Sequence, residues 1–450
     1  MTNSQLHCIK VSIKAQPCDV FNHFHHLNGA TFLDSASDNH VNSRFDIIAF
    51  APSQWLSVKD GQTLLNNSPV STDVFTLMQQ QLDVLCKQKA PFDLPFNGGW
   101  LGYFGYDLGR TLERMPELAQ NDIDLEQMQV GLYLDALIFD KACQQWYYVA
   151  QPSIDAGAGL QKYLSQLDCH AQSASFTLAS PWQSNMTYEF YAAQFAKIHE
   201  YLLSGDCYQI NLAQRFCAQF SGCEWHAYKR LREHNRAPFS AFIRLQNSCI
   251  LSISPERFIE VKNNKVETKP IKGTLPRSSD INEDKALAQQ LAHSPKDRAE
   301  NVMIVDLLRN DLGKVAKPGS VNVPSLFAIE SFPAVHHLVS TVQSELAAGK
   351  TAVDQLKAAF PGGSITGAPK IRAMEIIEEL EPHRRSAYCG SIGYLSACGD
   401  MDTSITIRTL VAHNQHLYCW AGGGIVADSD VELEYQETYH KVNKILPVLE

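Results

Sequence analysis

Two strand-like runs followed by a tight reversal constrain this chain most. Leu251-Ser-Ile-Ser254 and Arg257–Lys262 read as strands, and Asn263-Asn264 then turns the chain back into Val266–Ile271. Asparagine tolerates the left-handed conformation that a short hairpin turn requires, so the pairing here is antiparallel. Helical patterns lie on either side. Thr187 reads as the N-cap of an amphipathic helix carrying Phe190, Tyr191, Phe195, Ile198, Tyr201 and Leu202, closed by Ser204-Gly205. Asp297–Asn310 and Ala368–Leu380 read as two more helices. Hairpins alternating irregularly with helices, without a repeat of fixed period, predict an α+β fold.

The hairpin delivers the chain into Thr268-Lys-Pro-Ile-Lys-Gly-Thr-Leu-Pro-Arg277. Pro270 fixes its own φ and extends Lys269, while Gly273 permits close approach to the backbone. Lys272 is therefore held on a stiff segment. Such a lysine is either a solvated side chain at a turn or an amine whose pKa is lowered by desolvation until its lone pair is free for covalent chemistry.

Composition narrows the partners. The 450 residues are long enough for two domains or one large interwoven unit, and 45% are hydrophobic against 19% charged, as in ordinary globular proteins. A net charge of -10 and a pI near 5.9 argue against nucleic-acid and anionic-membrane surfaces. No basic-then-apolar leader opens the sequence, and no apolar run approaches the roughly 20 residues of a membrane helix. The twelve cysteines include no Cys-x-x-Cys pair and read as reduced thiols, so the expected location is cytoplasmic. Residues 151–186 are poor in pattern and rich in Ser, Ala, Gln and Gly. This divides the chain into 1–150, a linker at 151–186, and 187–450.

Several motifs could carry chemistry. Glu256, in Ser254-Pro-Glu-Arg-Phe258, lies across the hairpin from Lys272 and could exchange protons with it, or form an ordinary surface pair. Glu300 sits on the first turns of a helix, and Glu434, Glu437 and Lys441 share one helical stripe. The three carboxylates together would suit Mg²⁺, although such a stripe is also a common solvated face. Pro361–Lys370 is glycine-rich and opens a helix without the order of a Walker loop, and Gly422–Gly424 follow a strand. Arg408, read as lying on a strand, could grip a carboxylate, and His337 could protonate a leaving hydroxyl. The glycine and aromatic run Asn97–Arg110 lacks a dinucleotide fingerprint and fits a strand approached closely by other backbone. Cys207, in a turn without a closing glycine, reads as a structural thiol.

Taken in order, these segments resemble the chorismate-utilising enzymes, a family that includes anthranilate synthase, aminodeoxychorismate synthase, isochorismate synthase and salicylate synthase. The resemblance covers 187–445 closely and enters the N-terminal part through Ser43-Arg-Phe-Asp46 and Gly98–Arg110. Pro-Ile-Lys272-Gly-Thr looks like the aminodeoxychorismate branch, since anthranilate synthases carry alanine at the lysine. Gln209 stands where isochorismate and salicylate synthases place a water-activating lysine, and glutamine cannot act as a base.

The resemblance implies large antiparallel sheets packed as a sandwich with peripheral helices. It also implies Mg²⁺ on Glu300 and Glu437 with Glu434 nearby, gripping the ring carboxylate of chorismate. Arg408 and the amides of Gly422, Gly423 and Gly424 would hold the enolpyruvyl carboxylate, with Lys441 and Tyr394 close by. Thr366 and Gly367 would be pocket walls and Thr274 a further substrate contact. Lys272 would be the nucleophile, Glu256 the proton carrier, and His337 the group assisting departure of the C4 hydroxyl. Ammonia would come from a separate glutamine amidotransferase subunit, because the chain carries no convincing glutaminase motif. A tryptophan pocket would be lined by Ser35, Ser43, Arg44, Pro238 and Phe239.

Overall fold

The computed structural model describes residues 5–37, 40–169, 174–331 and 335–450. Two antiparallel sheets, of 13 and 12 strands, form its frame. The hairpin expected at Asn263-Asn264 is present: Arg257–Lys262 pairs with Lys265–Thr268, and both asparagines adopt positive φ. Next to it, Ile271–Pro276 pairs with Val335–Glu345.

Strand periodicity decides how the layers are filled. In Phe239–Arg244, Ala241 and Ile243 join the apolar layer between the sheets, and Phe242 joins a second layer on the other face. In Ser248–Ser254, Ile250 faces inward while Leu251 and Ile253 face the outer layer. Trp225, Tyr228 and Leu231 of the helix Glu224–Asn235 fill that outer layer. Such strands are buried on both faces, which explains their nearly continuous apolar runs. The result is a sandwich with peripheral helices, as expected.

The divisions expected at 150 and 186 do not separate the sheets. Gly99–Phe104 pairs residue by residue with Ser391–Ser396, and Thr31–Asp34 pairs with Phe239–Arg244. Both sheets therefore contain strands from both ends of the chain. Residues 151–186 hold a helix, Ala156–Leu167, and two short strands that pair with Gln209–Ser221. Composition marked a weakly patterned stretch there, but the pairing partners lie too far along the chain for a local signal to show them.

Strands change sheets at one corner, and this places the site. Ser248–Ser254 belongs to the 13-stranded sheet and continues through Pro255-Glu256 into Arg257–Lys262 of the 12-stranded sheet. Met401–Ile405 crosses in the opposite sense to Thr409–His413 through Thr406-Ile-Arg408. The crossings are tied together: the Ile405 amide donates to the Glu256 carbonyl at 3.0 Å, and the Ile253 amide donates to the Arg408 carbonyl at 3.1 Å. Sheet corners are built by strands that switch sheets in this way. Here the switch carries Glu256 and Arg408 to one place.

Candidate active site

A cavity of about 610 Å³ opens at this corner. Glu256, Lys272, Glu300, Arg408, Glu437 and Lys441 line it, together with Thr274, His337, Glu434, Gly422 and Gly424. Seven separate segments supply them, and the sheet corner brings them together.

Lys272 stands on Ile271–Pro276, and its Nζ donates to the Ser364 carbonyl at 3.1 Å. Burial lowers its pKa below the ordinary lysine value, while Glu300 and Glu256 pull the other way. Glu256 is 7% exposed, and burial raises its carboxyl to about 7, against the opposing pull of Lys272. The Ser364 hydroxyl donates to Glu256 Oε1 at 3.5 Å. Ser364 thus touches the amine through its carbonyl and the carboxyl through its hydroxyl. The Pro361–Lys370 run contains it, but nothing in the sequence singled it out.

Gly273 has a positive φ of 78°, and a side chain there would meet Asp297 at 2.8 Å. The residue after Lys272 must therefore be small for that strand to lie against the helix Pro295–Gly313. Glu300 projects from the same helix. Thr274 Oγ1 lies 2.8 Å from His337 Nδ1. Burial, then the charge of Arg408, push His337 down to about 4. At neutral pH it is an uncharged imidazole, able to offer a hydrogen bond rather than to act as the cationic acid anticipated for a leaving hydroxyl.

Arg408 lies not on a strand but in the corner between two, with φ 51°. Among the described residues its guanidinium makes no hydrogen bond or salt bridge, and it faces the cavity. Gly422–Gly424 lie inside the strand His416–Ile425, not after it, opposite Ala213, Leu212 and Asn211. Gly423 is not itself part of the lining, but it faces the carboxylates that are: a side chain there would meet Glu434 Oε2 at 2.8 Å. Gln209 packs behind Gly424, where its Nε2 is buried without a hydrogen-bond partner.

Other expected residues lie elsewhere. Thr366 is fully buried behind the lining, its hydroxyl bonded to the carbonyls of Gly362 and Gly363. Gly367 pairs with Ile210, and Ser364 and Ile365 form the wall in their place. Tyr394, expected beside the substrate, lines a different cavity of about 240 Å³. Its strand position turns it toward the layer between the sheets near Phe96. That second cavity is also lined by Ser35, Arg44, Pro238 and Phe239; Ser43 is buried outside the lining.

The three carboxylates expected to hold a metal line the first cavity but are not drawn into one ligand set. Among the described residues no group of three or more His, Cys, Asp or Glu side chains is arranged to bind a metal. Glu437 Oε1 is paired with Lys441 Nζ at 2.6 Å, and Glu434 Oε1 accepts from Ser429 at 2.7 Å. Glu434 Oε2 is buried with no hydrogen-bond partner. An orphaned buried carboxylate oxygen beside two more carboxylates fits a hard divalent cation in donor chemistry.

A cavity with a desolvated amine, a carboxyl near neutrality, an unpaired guanidinium and a carboxylate cluster suits an anionic small molecule. The chain belongs to the family of chorismate binding enzymes, which matches residues 29–447. Aminodeoxychorismate synthase component 1 of Klebsiella aerogenes is 56% identical over 94% of this chain and 94% of its own. Its Escherichia coli (strain K12) counterpart is 55% identical over 96% and 95%. Among solved structures, anthranilate synthase component I of Streptococcus pneumoniae TIGR4 superposes with a TM-score of 0.82 at 32% identity, covering 92% of this chain and 93% of that one. No helix among the described residues is long and apolar enough to cross a membrane.

Proposed function

We propose that this chain is component 1 of an aminodeoxychorismate synthase. It aminates chorismate to 4-amino-4-deoxychorismate for folate biosynthesis, using ammonia from a glutamine amidotransferase partner in the cytoplasm. The observation that carries this reading is the pair Lys272 and Glu256, an amine and a carboxyl shifted toward each other's range in one cavity beside an unpaired Arg408.

The neutral Lys272 amine attacks C2 of chorismate. Both conjugated ring double bonds shift, the C4–oxygen bond breaks, and the hydroxyl takes up a proton from solvent and leaves as water. Glu256 accepts the proton that the new C2–nitrogen bond makes acidic. Ammonia then attacks C4, both double bonds shift back, and the C2–nitrogen bond breaks. Glu256 returns its proton to Lys272, and the proton shed by the added ammonia balances the water released. His337 supplies a hydrogen bond to the departing oxygen, and Arg408 holds the enolpyruvyl carboxylate.

Glu300, Glu434 and Glu437 would hold Mg²⁺, which when bound neutralises the ring carboxylate. Purified chain incubated with chorismate, ammonium and Mg²⁺ is expected to form 4-amino-4-deoxychorismate, identified by chromatography and mass. Direct appearance of fluorescent anthranilate would instead make it an anthranilate synthase. The second cavity is proposed to take tryptophan, against Arg44, Pro238 and Phe239. Equilibrium dialysis should show one tryptophan site that weakens when Phe239 becomes alanine; binding unchanged in that variant would place it elsewhere.

A further inference from the structure

Lys272 and Glu256 share a cavity but do not touch. Among the described residues no salt bridge joins them, and each is in contact with Ser364 instead. The Lys272 Nζ donates to the Ser364 carbonyl at 3.1 Å. The Ser364 hydroxyl reaches Glu256 Oε1 at 3.5 Å, the long end of a hydrogen bond. The proposed function, on which this inference rests, moves a proton from the amine to the carboxyl and back. Ser364 is in contact with both ends of that path.

The turn that carries Ser364 is fixed from behind. Ser364 is the middle residue of the short 3₁₀ turn Gly363–Ile365. Gly363 lies so close to Leu307, on the helix Pro295–Gly313, that it has no room for a side chain. The Thr366 hydroxyl bonds to the carbonyls of Gly362 and Gly363, both at 3.2 Å, and Arg385 donates to the Ile365 carbonyl at 3.1 Å. The carbonyls on either side of Ser364 are thus engaged within the protein, while its own takes the lysine at the cavity wall. With one N–H held there, the nitrogen has a set orientation, and so does its lone pair once the amine is uncharged.

We propose that Ser364 couples the nucleophile to its base: its carbonyl aims the Lys272 nitrogen, and its hydroxyl passes the proton between that nitrogen and Glu256. Because Nζ is held on the same residue, the hydroxyl needs no more than a change of rotamer to reach it. When the C2–nitrogen bond forms, the nitrogen gives a proton to Ser364 Oγ as Oγ gives its own to Glu256 Oε1. The serine ends as it began, and one proton has moved. Expulsion of the amine reverses both transfers. Before the reaction the same hydroxyl favours the ionised Glu256 carboxylate against burial, alongside the charges of Lys272 and of Lys441 on the helix Val431–Val442.

The test is adduct formation from chorismate with ammonia withheld, followed by intact mass through a pH series. Ser364→Ala keeps the carbonyl and removes the hydroxyl. It should form the adduct about 10²-fold more slowly, with chorismate affinity, read from the concentration dependence, within about two-fold of the wild type. Its acid limb should lie at higher pH than the wild type's, because Glu256 loses a donor to its ionised form. Ser364→Thr keeps a hydroxyl and should recover most of the rate and the wild-type limb. Thr366→Val loosens the turn but leaves the Ser364 hydroxyl, so any loss of rate should come with the limb unmoved. A Ser364→Ala protein within about three-fold of the wild-type rate at every pH overturns the proposal. A Thr366→Val protein that reproduces both the slow rate and the displaced limb also overturns it, by assigning the effect to the packing of the turn. A wild type that forms no adduct on Lys272 would count against the functional reading instead.

Discussion

Lys272→Ala is expected to lower the rate of 4-amino-4-deoxychorismate formation by about 10³- to 10⁴-fold. It should also remove a covalent adduct that the wild type forms with chorismate when ammonia is withheld. That adduct should have the mass of the chain plus chorismate less one water and map to Lys272 in a peptide digest. The same adduct on another residue of the alanine variant would sink the assignment.

Its pH dependence follows from the neighbouring carboxyl. Attack requires an uncharged amine and a place for its proton. Below about 7 Glu256 is protonated and can no longer take the proton of the attacking amine. Adduct formation should therefore fall as pH drops through about 7, by roughly ten-fold per unit, with the two groups titrating as a pair. Glu256→Gln removes the carboxylate that helps keep Lys272 protonated, so its pKa falls further. That variant should form the adduct slowly, without the acid limb at 7. A limb left in place by the substitution would assign it to another group.

How much of this was legible in the sequence depends on the range over which each signal acts. The hairpin at Asn263-Asn264 and the helix capped by Thr187 are local, and both appear where expected; the Thr187 side chain accepts from the Phe190 amide at 3.2 Å. Glu256 and Lys272 share that hairpin neighbourhood, so their convergence could be reasoned from it. Asp402–Arg408 reads as one strand, yet the sheet change there puts Arg408 itself in a left-handed conformation that no local pattern signals. Tyr394 shows the same limit: alternation along Ser391–Ser396 fixes that it faces one side, but not which cavity lies there. Thr366 and Ser364 differ only in which of two neighbouring turn residues faces inward. The interleaving of N- and C-terminal strands rests on pairings hundreds of positions apart, such as Gly102 with Gly393, and neither glycine announces its partner.

The largest loss of stability is expected from Glu381→Gln. Glu381 and Arg385 are 4% and 1% exposed and pair at 2.6 Å. Glu381 also accepts from the Ala213 amide at 2.9 Å, while Arg385 donates to the carbonyls of Ile365 at 3.1 Å and Asn211 at 2.6 Å. This one ion pair therefore clamps the strand opposite the three glycines to the wall containing Ser364. Glutamine keeps the size of the side chain but leaves a buried guanidinium uncompensated, at a cost of about 3–5 kcal/mol. Denaturant titration should report that loss, as a shifted midpoint with little change in slope. The double variant Glu381→Gln with Arg385→Met removes the stranded charge and should recover part of the loss. If the double variant were as unstable as the sum of its two single changes, packing around Arg385 rather than its charge would hold the wall. A Glu381→Gln protein within about 1 kcal/mol of the wild type would mean that Arg385 finds enough compensation in the carbonyls of Ile365 and Asn211 and in the faces of Tyr106 and Tyr388.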